Sequence, residues 1–303
     1  MRIALLGTGP WARAAYAPAL AGHGSLDFVG VWGRRPEAAA ELAGEYGVRA
    51  YDDVDALFGD VEAVAVALPP VVQAELAVRA AAAGRHLLLD KPLALGVAEG
   101  RAVAEAAERA GIASVVFFTT RFQQEPEAWI GEQAATQGWF TGRAHWLGSV
   151  FTGESPFADS PWRREKGALW DVGPHALSVL LPVLGDVRRV AAAVHGPADT
   201  VHLVLDHAGG ASSTVTLSLT APPAAAGADV ELRGEAGVTL LPRSTEGAVP
   251  ALTRAADALL TAARTGRAHA CDAAFGLRVT EILAEAETLL GKDVARSAAR
   301  LLG

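Results

Sequence analysis

The chain has 303 residues, 51% of them hydrophobic, a formal charge of −8 and a sequence pI near 5.5. That length suits two domains of ordinary size, and that charge argues against a surface that tracks phosphates, so nucleic acid is not expected as a partner. The one cysteine, Cys271, excludes an internal disulfide and a cysteine metal cluster, and it fits a reducing cytoplasm.

The opening residues MRIALLG place a positive charge before an apolar run, but GPWAR interrupts that run too soon for a signal peptide. The longest apolar run, AVAVALPPVV, is too short for a bilayer and contains two prolines, so no membrane partner is expected. In chain order, RIALL, DFVGVW, EAVAVAL, HLLL and ASVVFF read as buried strands. Helical segments are expected between them near 11–22, 36–46, 71–84 and 97–110. This alternation predicts a parallel sheet covered on both faces. Gly84, Gly111 and Gly185 sit where helices should stop.

After about residue 120 the pattern changes. A helix is expected near 124–136, and strands with polar alternation follow from 187. In STVTLSLT, Val215, Leu217 and Leu219 should face one way and Thr214, Thr216, Ser218 and Thr220 the other. ELRGEAGVTLL reads as a hairpin turning at Glu235–Gly237, and APPAAAGA (221–228) as a loop. Two helices near 250–265 and 272–290 close the chain.

Directly after the first strand, IALLGTGPWARAA places Gly7, Gly9 and Ala12 in a G-x-G-x-x-A pattern. The first glycine allows a tight turn, the second lets a pyrophosphate approach the backbone, and the small third residue lets helix and sheet pack closely. The following helix start offers free N–H groups to an anion. The second strand ends in Gly33-Arg34-Arg35 with no carboxylate, while Asp27 lies at its other end. Two guanidiniums at that end suit a 2′-phosphate, so NADP is favoured and NAD remains possible. The alternative is that both arginines are merely solvated. Further on, HLLLDKPLA ends an apolar strand in Asp90-Lys91-Pro92, aiming Lys91 at the edge where open α/β sheets bind ligands.

On GTGPWA, VALPPVVQAELAVRAAAAGRHLLLDKP and WRREKGALWDVGPH, the chain resembles the Gfo/Idh/MocA oxidoreductases, which include glucose–fructose oxidoreductase and inositol dehydrogenases. The resemblance covers nearly the whole chain. It implies an α/β fold with an N-terminal Rossmann dinucleotide-binding domain, taken as residues 1–119. A C-terminal α+β domain with a large, mostly antiparallel sheet, residues 120–303, would bind substrate and form a homodimer or homotetramer. The cofactor contacts it implies are Gly7, Thr8, Gly9, Pro10, Trp11, Ala12, Gly33, Arg34, Arg35, Leu68, Pro69, Gln73, Asp90, Lys91 and Pro92. Lys91 matches the catalytic lysine of the family's Glu-Lys-Pro motif. Asp171, Gly173 and His175 match its Asp-x-Gly-x-His motif. Trp162 and Arg163 belong to a segment similar to one near cofactor and substrate. Three departures stand out: Gln73 replaces a histidine common in relatives, the glycine run before Asp171 is reduced to Gly167-Ala168, and Ser178 replaces an acid.

Asp171 and His175 raise a choice between a structural pair, a metal site and a proton-handling site. Their spacing of four predicts one helix face, in a helix beginning near Asp171 because Pro174 must lie in its first turn, and kinked or ended by Pro182. No third ligand is in view, so no metal is expected. With Lys91 supplied from the other domain, proton handling is favoured: His175 as general base, Lys91 holding substrate oxygen, Asp171 orienting substrate or imidazole. The function expected is an NAD(P)-dependent hydride transfer at a secondary alcohol or ketone of a sugar, cyclitol or related polyol. The rivals are a redox-neutral enzyme of the same fold with tightly held cofactor and a non-catalytic NADP-binding sensor. Trp129, Trp139, Trp146, Trp162 and Trp170 suit a sugar-stacking pocket, or simply a core and interface. His145, His195, His202, His207 and His269 are read as structural or surface residues.

Overall fold

The computed structural model describes residues 1–302, with side chains described for residues 1–292. Its contacts gather the chain into two compact units, Met1–Gln123 with Thr245–Arg278, and Gln124–Ser244 with Val279–Gly303. A single cut after residue 119 would leave 245–278 with the second unit; their contacts group them with the first.

The first unit is built on six parallel strands, β1 (Arg2–Leu6), β2 (Asp27–Trp32), β3 (Arg49–Tyr51), β4 (Ala63–Val66), β5 (His86–Asp90) and β6 (Ser114–Phe117), ordered β3-β2-β1-β4-β5-β6. Strands covered on both faces lack a polar alternation, and β4 and β6 are buried at every residue. Between strands run α1 (Ala17–Ala21), α2 (Pro36–Tyr46), α3 (Val54–Asp60), α4 (Pro70–Ala82) and α5 (Val97–Ala110). β3 and α3 were not expected. Three residues of RAY give no readable period; β3 exists because it pairs with the edge of β2. The start of α3 is set by Asp53, whose carboxylate accepts from the Asp55 N–H at 3.0 Å. Gly111 and Gly185 cap helices as expected, and Gly84 lies two residues past the end of α4, after its cap Ala83.

The returning segment carries α9 (Ala248–Thr265), and the last helix, α10 (Ala273–Leu302), starts within it. Arg254 Nε donates to the Phe122 carbonyl, and the Cys271 carbonyl accepts from the Val116 N–H at 2.7 Å. The β6 edge thus gains backbone partners from residues far along the chain, a pairing no local pattern announces.

The second unit holds a six-stranded sheet, from α6 (Gln124–Ala135) onward. Its strands are β7 (Trp139–Leu147), β8 (Val187–His195), β9 (Val201–His207), β10 (Ser212–Ser218), β11 (Gly227–Gly234) and β12 (Gly237–Leu240), ordered β12-β11-β7-β10-β9-β8. Only the β7–β10 pair is parallel. β11 and β12 form the expected hairpin, with Gly234 opposite Gly237. In β10 the alternation is as expected except at Ser218, which is 3% exposed. Its hydroxyl donates to Asp199, whose carboxylate also takes the Leu219 and Thr220 N–H groups, so a polar residue is satisfied inside.

Two helices, α7 (Pro161–Asp171) and α8 (Gly173–Leu184), pack beside this sheet. Together, Pro161–Leu184 is long and apolar enough to cross a membrane, yet 83% of its apolar window is buried inside the fold. α8 is the core helix: a side chain on Gly142 of β7 would lie 2.8 Å from Leu184 and 3.3 Å from Leu180. Pro182 sits inside α8, which ends two residues later.

Candidate active site

In the first unit the expected cofactor residues gather at the carboxyl edge of the parallel sheet. Gly7 leaves β1 with φ +133°, and a Cβ there would sit 2.3 Å from the Ala67 carbonyl oxygen, so no other residue fits this turn. A side chain on Gly9 would meet nothing within 4 Å; the space beside its backbone is open for a ligand group. Pro10 and Trp11 lead into a π-helical turn, Ala12–Tyr16, that continues into α1. Ala12 is fully buried, as the third position of the pattern requires. This backbone cradle fits a dinucleotide pyrophosphate.

Beyond β2, Gly33 packs on Thr8, where a Cβ would come within 2.7 Å of the Thr8 methyl. A cavity of about 530 Å³ opens here, lined by Thr8, Arg13, Arg35, Glu37, Ala38 and Glu41. Arg34 and Arg35 are both exposed. Sequence reasoning missed Arg13, which pairs with Glu41 at 2.9 Å and Glu45 at 2.6 Å on α2. Carboxylates therefore share this cavity with the guanidiniums. Leu68 and Pro69 are half-buried in the loop after β4, where Pro69 caps α4.

Lys91 follows β5 at the same edge. Its N–H donates to the Asp90 carboxylate at 3.0 Å, and the Lys91–Pro92 peptide is cis. Gln73, expected as a cofactor contact, is 1% exposed, and its carboxamide is bonded to the backbone of residues 90–93. Below this loop lies Tyr16, fully buried, with no hydrogen-bond partner for its hydroxyl among the described residues. Burial above all, and then the Asp90 charge, hold its phenol well above its ordinary pKa.

In the second unit Asp171 and His175 stand on successive helices. Asp171 ends α7, Val172 joins the two helices with φ −108° and ψ −17°, and α8 starts at Gly173. Pro174 carries no N–H and so opens a new helix rather than extending α7. α7 is itself interrupted at Gly167, with φ +61° and ψ −159°. This junction lets the two side chains meet different neighbours.

Asp171, 5% exposed, is held by Arg163, whose Nε donates to Oδ2 at 2.9 Å. The guanidinium of Arg163 also lies 4.5 Å from the Trp162 ring centroid and 4.8 Å from that of Phe157, and Nη1 donates to Ser160. His175 stacks on Trp146 of β7, with ring centroids 5.3 Å apart and planes 8° from parallel. Ser178, fully buried, donates to the His175 carbonyl at 2.7 Å, so its hydroxyl is turned to the backbone. The five tryptophans thus divide. Trp129 bonds Thr239, Trp139 bonds the Gln133 carbonyl and Trp170 bonds Glu287, all framework roles; Trp146 and Trp162 flank the site residues. The signal for Trp146 was its period of two with buried Ala144, on the face that α8 covers.

Of the histidines read as structural or surface residues, His195 is exposed. His207 is fully buried between the Gly185 carbonyl (2.7 Å) and Ser213 Oγ (2.9 Å), and burial pulls its pKa below the usual imidazole value. His145 faces Asp229, His202 bonds Thr216, and His269 stacks on Phe122. Among the described residues no three His, Cys, Asp or Glu side chains gather to hold a metal ion.

Comparison with known proteins agrees with this geometry. Residues 1–118 match the model of an oxidoreductase family with an NAD-binding Rossmann fold, and residues 133–239 match the GFO/IDH/MocA C-terminal domain. The chain belongs to the Gfo/Idh/MocA oxidoreductase family.

Among its relatives in this family, levoglucosan dehydrogenase of Pseudarthrobacter phenanthrenivorans is 28% identical, over 52% of this chain and 42% of the relative. The dTDP-3,4-didehydro-2,6-dideoxy-alpha-D-glucose 3-reductase of Streptomyces violaceoruber is 29% identical.

 That match with the reductase runs over 199 residues, which is 64% of this chain and 57% of the relative. The chain spans about half the length of the curated relatives it matches. A solved structure of GenD2 from gentamicin A biosynthesis, in complex with NAD, superposes with a TM-score of 0.83 at 21% identity, covering 96% of this chain and 94% of that one. At that identity the likeness speaks for the fold.

Proposed function

We propose that this family member is an NAD(P)-dependent dehydrogenase or reductase acting on a secondary alcohol or ketone of a sugar, cyclitol or related polyol, with NADP favoured. The observation that carries this reading is the common edge in the first unit: the Gly7–Ala12 cradle and Lys91 both leave their strands at the carboxyl side of one parallel sheet. Ligands of open α/β sheets bind at that edge.

The glycine cradle would hold the pyrophosphate on backbone N–H groups, and Arg34 and Arg35 would meet a 2′-phosphate. When bound, the dinucleotide supplies the hydride acceptor or donor. Lys91, a cation, holds the substrate oxygen and stabilises alkoxide charge as it develops. His175 takes the hydroxyl proton in oxidation and returns it in reduction, a task suited to an imidazole near neutral pH. Asp171 orients the substrate, with Arg163 holding its carboxylate rather than binding substrate directly.

The relatives named for sugar substrates support the substrate class. The test is an absorbance assay with NADPH and NADH against levoglucosan, ketosugars, inosose-type ketones and their alcohols. Turnover in this panel is the expected result; binding of cofactor without turnover of any member would overturn the reading. For cofactor choice, replacing Arg34 and Arg35 together by Ala should cost NADPH at least about tenfold in affinity, and NADH far less, since charge-assisted bonds contribute ~1.5–3 kcal/mol each. Equal loss for both cofactors would remove the NADP preference.

The chain is further proposed to form a dimer or larger assembly through the open face of the second unit's sheet. That face bears exposed Val194 and Val204, and it carries more charge than its Thr and Ser content suggested, with Arg143 near Asp229 and Glu231 and with Arg189 bonded to Asp206. A monomer by light scattering at micromolar concentration would count against it.

A further inference from the structure

We infer that Gln73 is a positioning residue for Lys91, setting the course of the backbone from which the lysine projects. The inference rests on the catalytic role proposed for Lys91. Gln73 lies in the first turn of α4, and 1% of it is exposed. Its Oε1 accepts from the Asp90 N–H at 2.9 Å. Its Nε2 donates to the Asp90 carbonyl at 2.7 Å, to the Pro92 carbonyl at 3.1 Å and, more weakly, to the Leu93 carbonyl at 3.4 Å.

Both ends of the carboxamide therefore act on Asp90, as a neighbouring strand would, just where β5 leaves the sheet. The amine end also reaches past Lys91 to Pro92. The lysine is thereby bracketed by bonds on both sides. A carboxamide suits this task because it is donor and acceptor at once, and it remains so at every pH. An aliphatic side chain would leave those groups without it, and a carboxylate would set a second oxygen against the carbonyls. The buried setting makes each of those bonds matter more than it would at the surface. This is a different role from the cofactor contact suggested by resemblance, because the polar end of Gln73 is used by the protein's own backbone.

Gln73→Met keeps the length and most of the volume while removing both ends of the carboxamide. With Lys91 displaced, kcat should fall about tenfold or more, since small misplacements of a reacting group carry large rate costs. The Kd values for NADPH and NADH, titrated by fluorescence, should stay near wild type. A readout that needs no substrate accompanies these: acetylation by acetic anhydride, followed peptide by peptide by mass spectrometry. The chain has only three lysines, Lys91, Lys166 and Lys292, so the latter two serve as internal references. The Lys91 rate should change severalfold relative to the references.

An unchanged Lys91 rate in a folded Gln73→Met variant would overturn the proposal. So would a loss of cofactor affinity matching the loss of kcat, which would make Gln73 a cofactor contact. Gln73→Glu, which keeps the volume and the acceptor, is read in the same way and decides the matter if Gln73→Met does not fold. If the wild type turns over none of the substrate panel, the proposed function fails by itself, while the acetylation rates still report on the bracketing of Lys91.

Discussion

The two units build their candidate site residues by different means. In the first, the backbone does most of the work: a glycine turn after β1, an open space beside Gly9, and a lysine where β5 ends. In the second, side chains hold side chains: Arg163 grips Asp171, and Trp146 of β7 lies flat on His175 of α8. A backbone site depends on local conformation and leaves a short, spaced pattern in the sequence. A side-chain site depends on which residues meet after packing, and its partners are eight residues apart in one case and twenty-nine in the other.

The comparison is broken most directly at the proposed reacting groups, Lys91 and His175. Lys91→Ala and His175→Ala should each lower turnover by ~100-fold or more, the scale of general acid–base or oxyanion contributions, with cofactor affinity near wild type. Steady-state kinetics with cofactor titrations measure this. Near-wild-type turnover in His175→Ala would make the second unit's pair structural, leaving chemistry to the first unit alone.

The grip on Asp171 comes next. Arg163→Ala withdraws a charge-assisted bond from a buried carboxylate and should cost ~1.5–3 kcal/mol of stability, read from urea unfolding. Arg163→Lys should recover little of this, because a lysine cannot reproduce a planar guanidinium set against Trp162 and Phe157. Full recovery by lysine would mean that charge alone matters there.

A smaller effect is expected at the stacked ring. Trp146→Ala should remove an aromatic contact of ~0.5–1.5 kcal/mol and lower kcat severalfold, and Trp146→Phe should restore most of both. If Trp146→Ala changes stability but not kcat, the stack supports the fold without orienting His175.

The smallest effect concerns pH and belongs to the framework. His207 and His86 both have pKa values lowered chiefly by burial. Each is neutral in the folded state under conditions where the unfolded chain, with its imidazoles near ~6.5, begins to bind protons. Their contribution is fully present above that value and is lost as pH falls below it toward the folded pKa. Thermal midpoints should therefore drop on acidification below about 6.5. His207→Gln should flatten the drop; an unchanged slope would show that His207 takes up its proton without unfolding.

Much of the first unit was legible. Apolar strands buried on both faces and a glycine pattern after β1 are local features, and the expected edges of β1, β2, α2 and α5 agree with the observed ones. β3 was not legible, because its three residues become a strand only through β2. Nor was the return of residues 245–278 to the first unit, because a backbone bond such as Val116 to Cys271 depends on no side-chain pattern.

For the site, residue types and spacing alone determined that Gly7 must turn tightly, that Lys91 ends a buried strand, and that Pro174 starts a helical segment. These are consequences of steric limits on one residue and its immediate neighbours. The tertiary structure decided the rest. It placed Asp171 and His175 on successive helices, assigned Arg163 to Asp171 and Trp146 to His175, and turned Gln73 onto the backbone around Lys91. Those pairings follow from the packing of α7, α8 and β7 in one unit and of α4 against β5 in the other, where a buried polar group must bond to whatever the fold brings within reach.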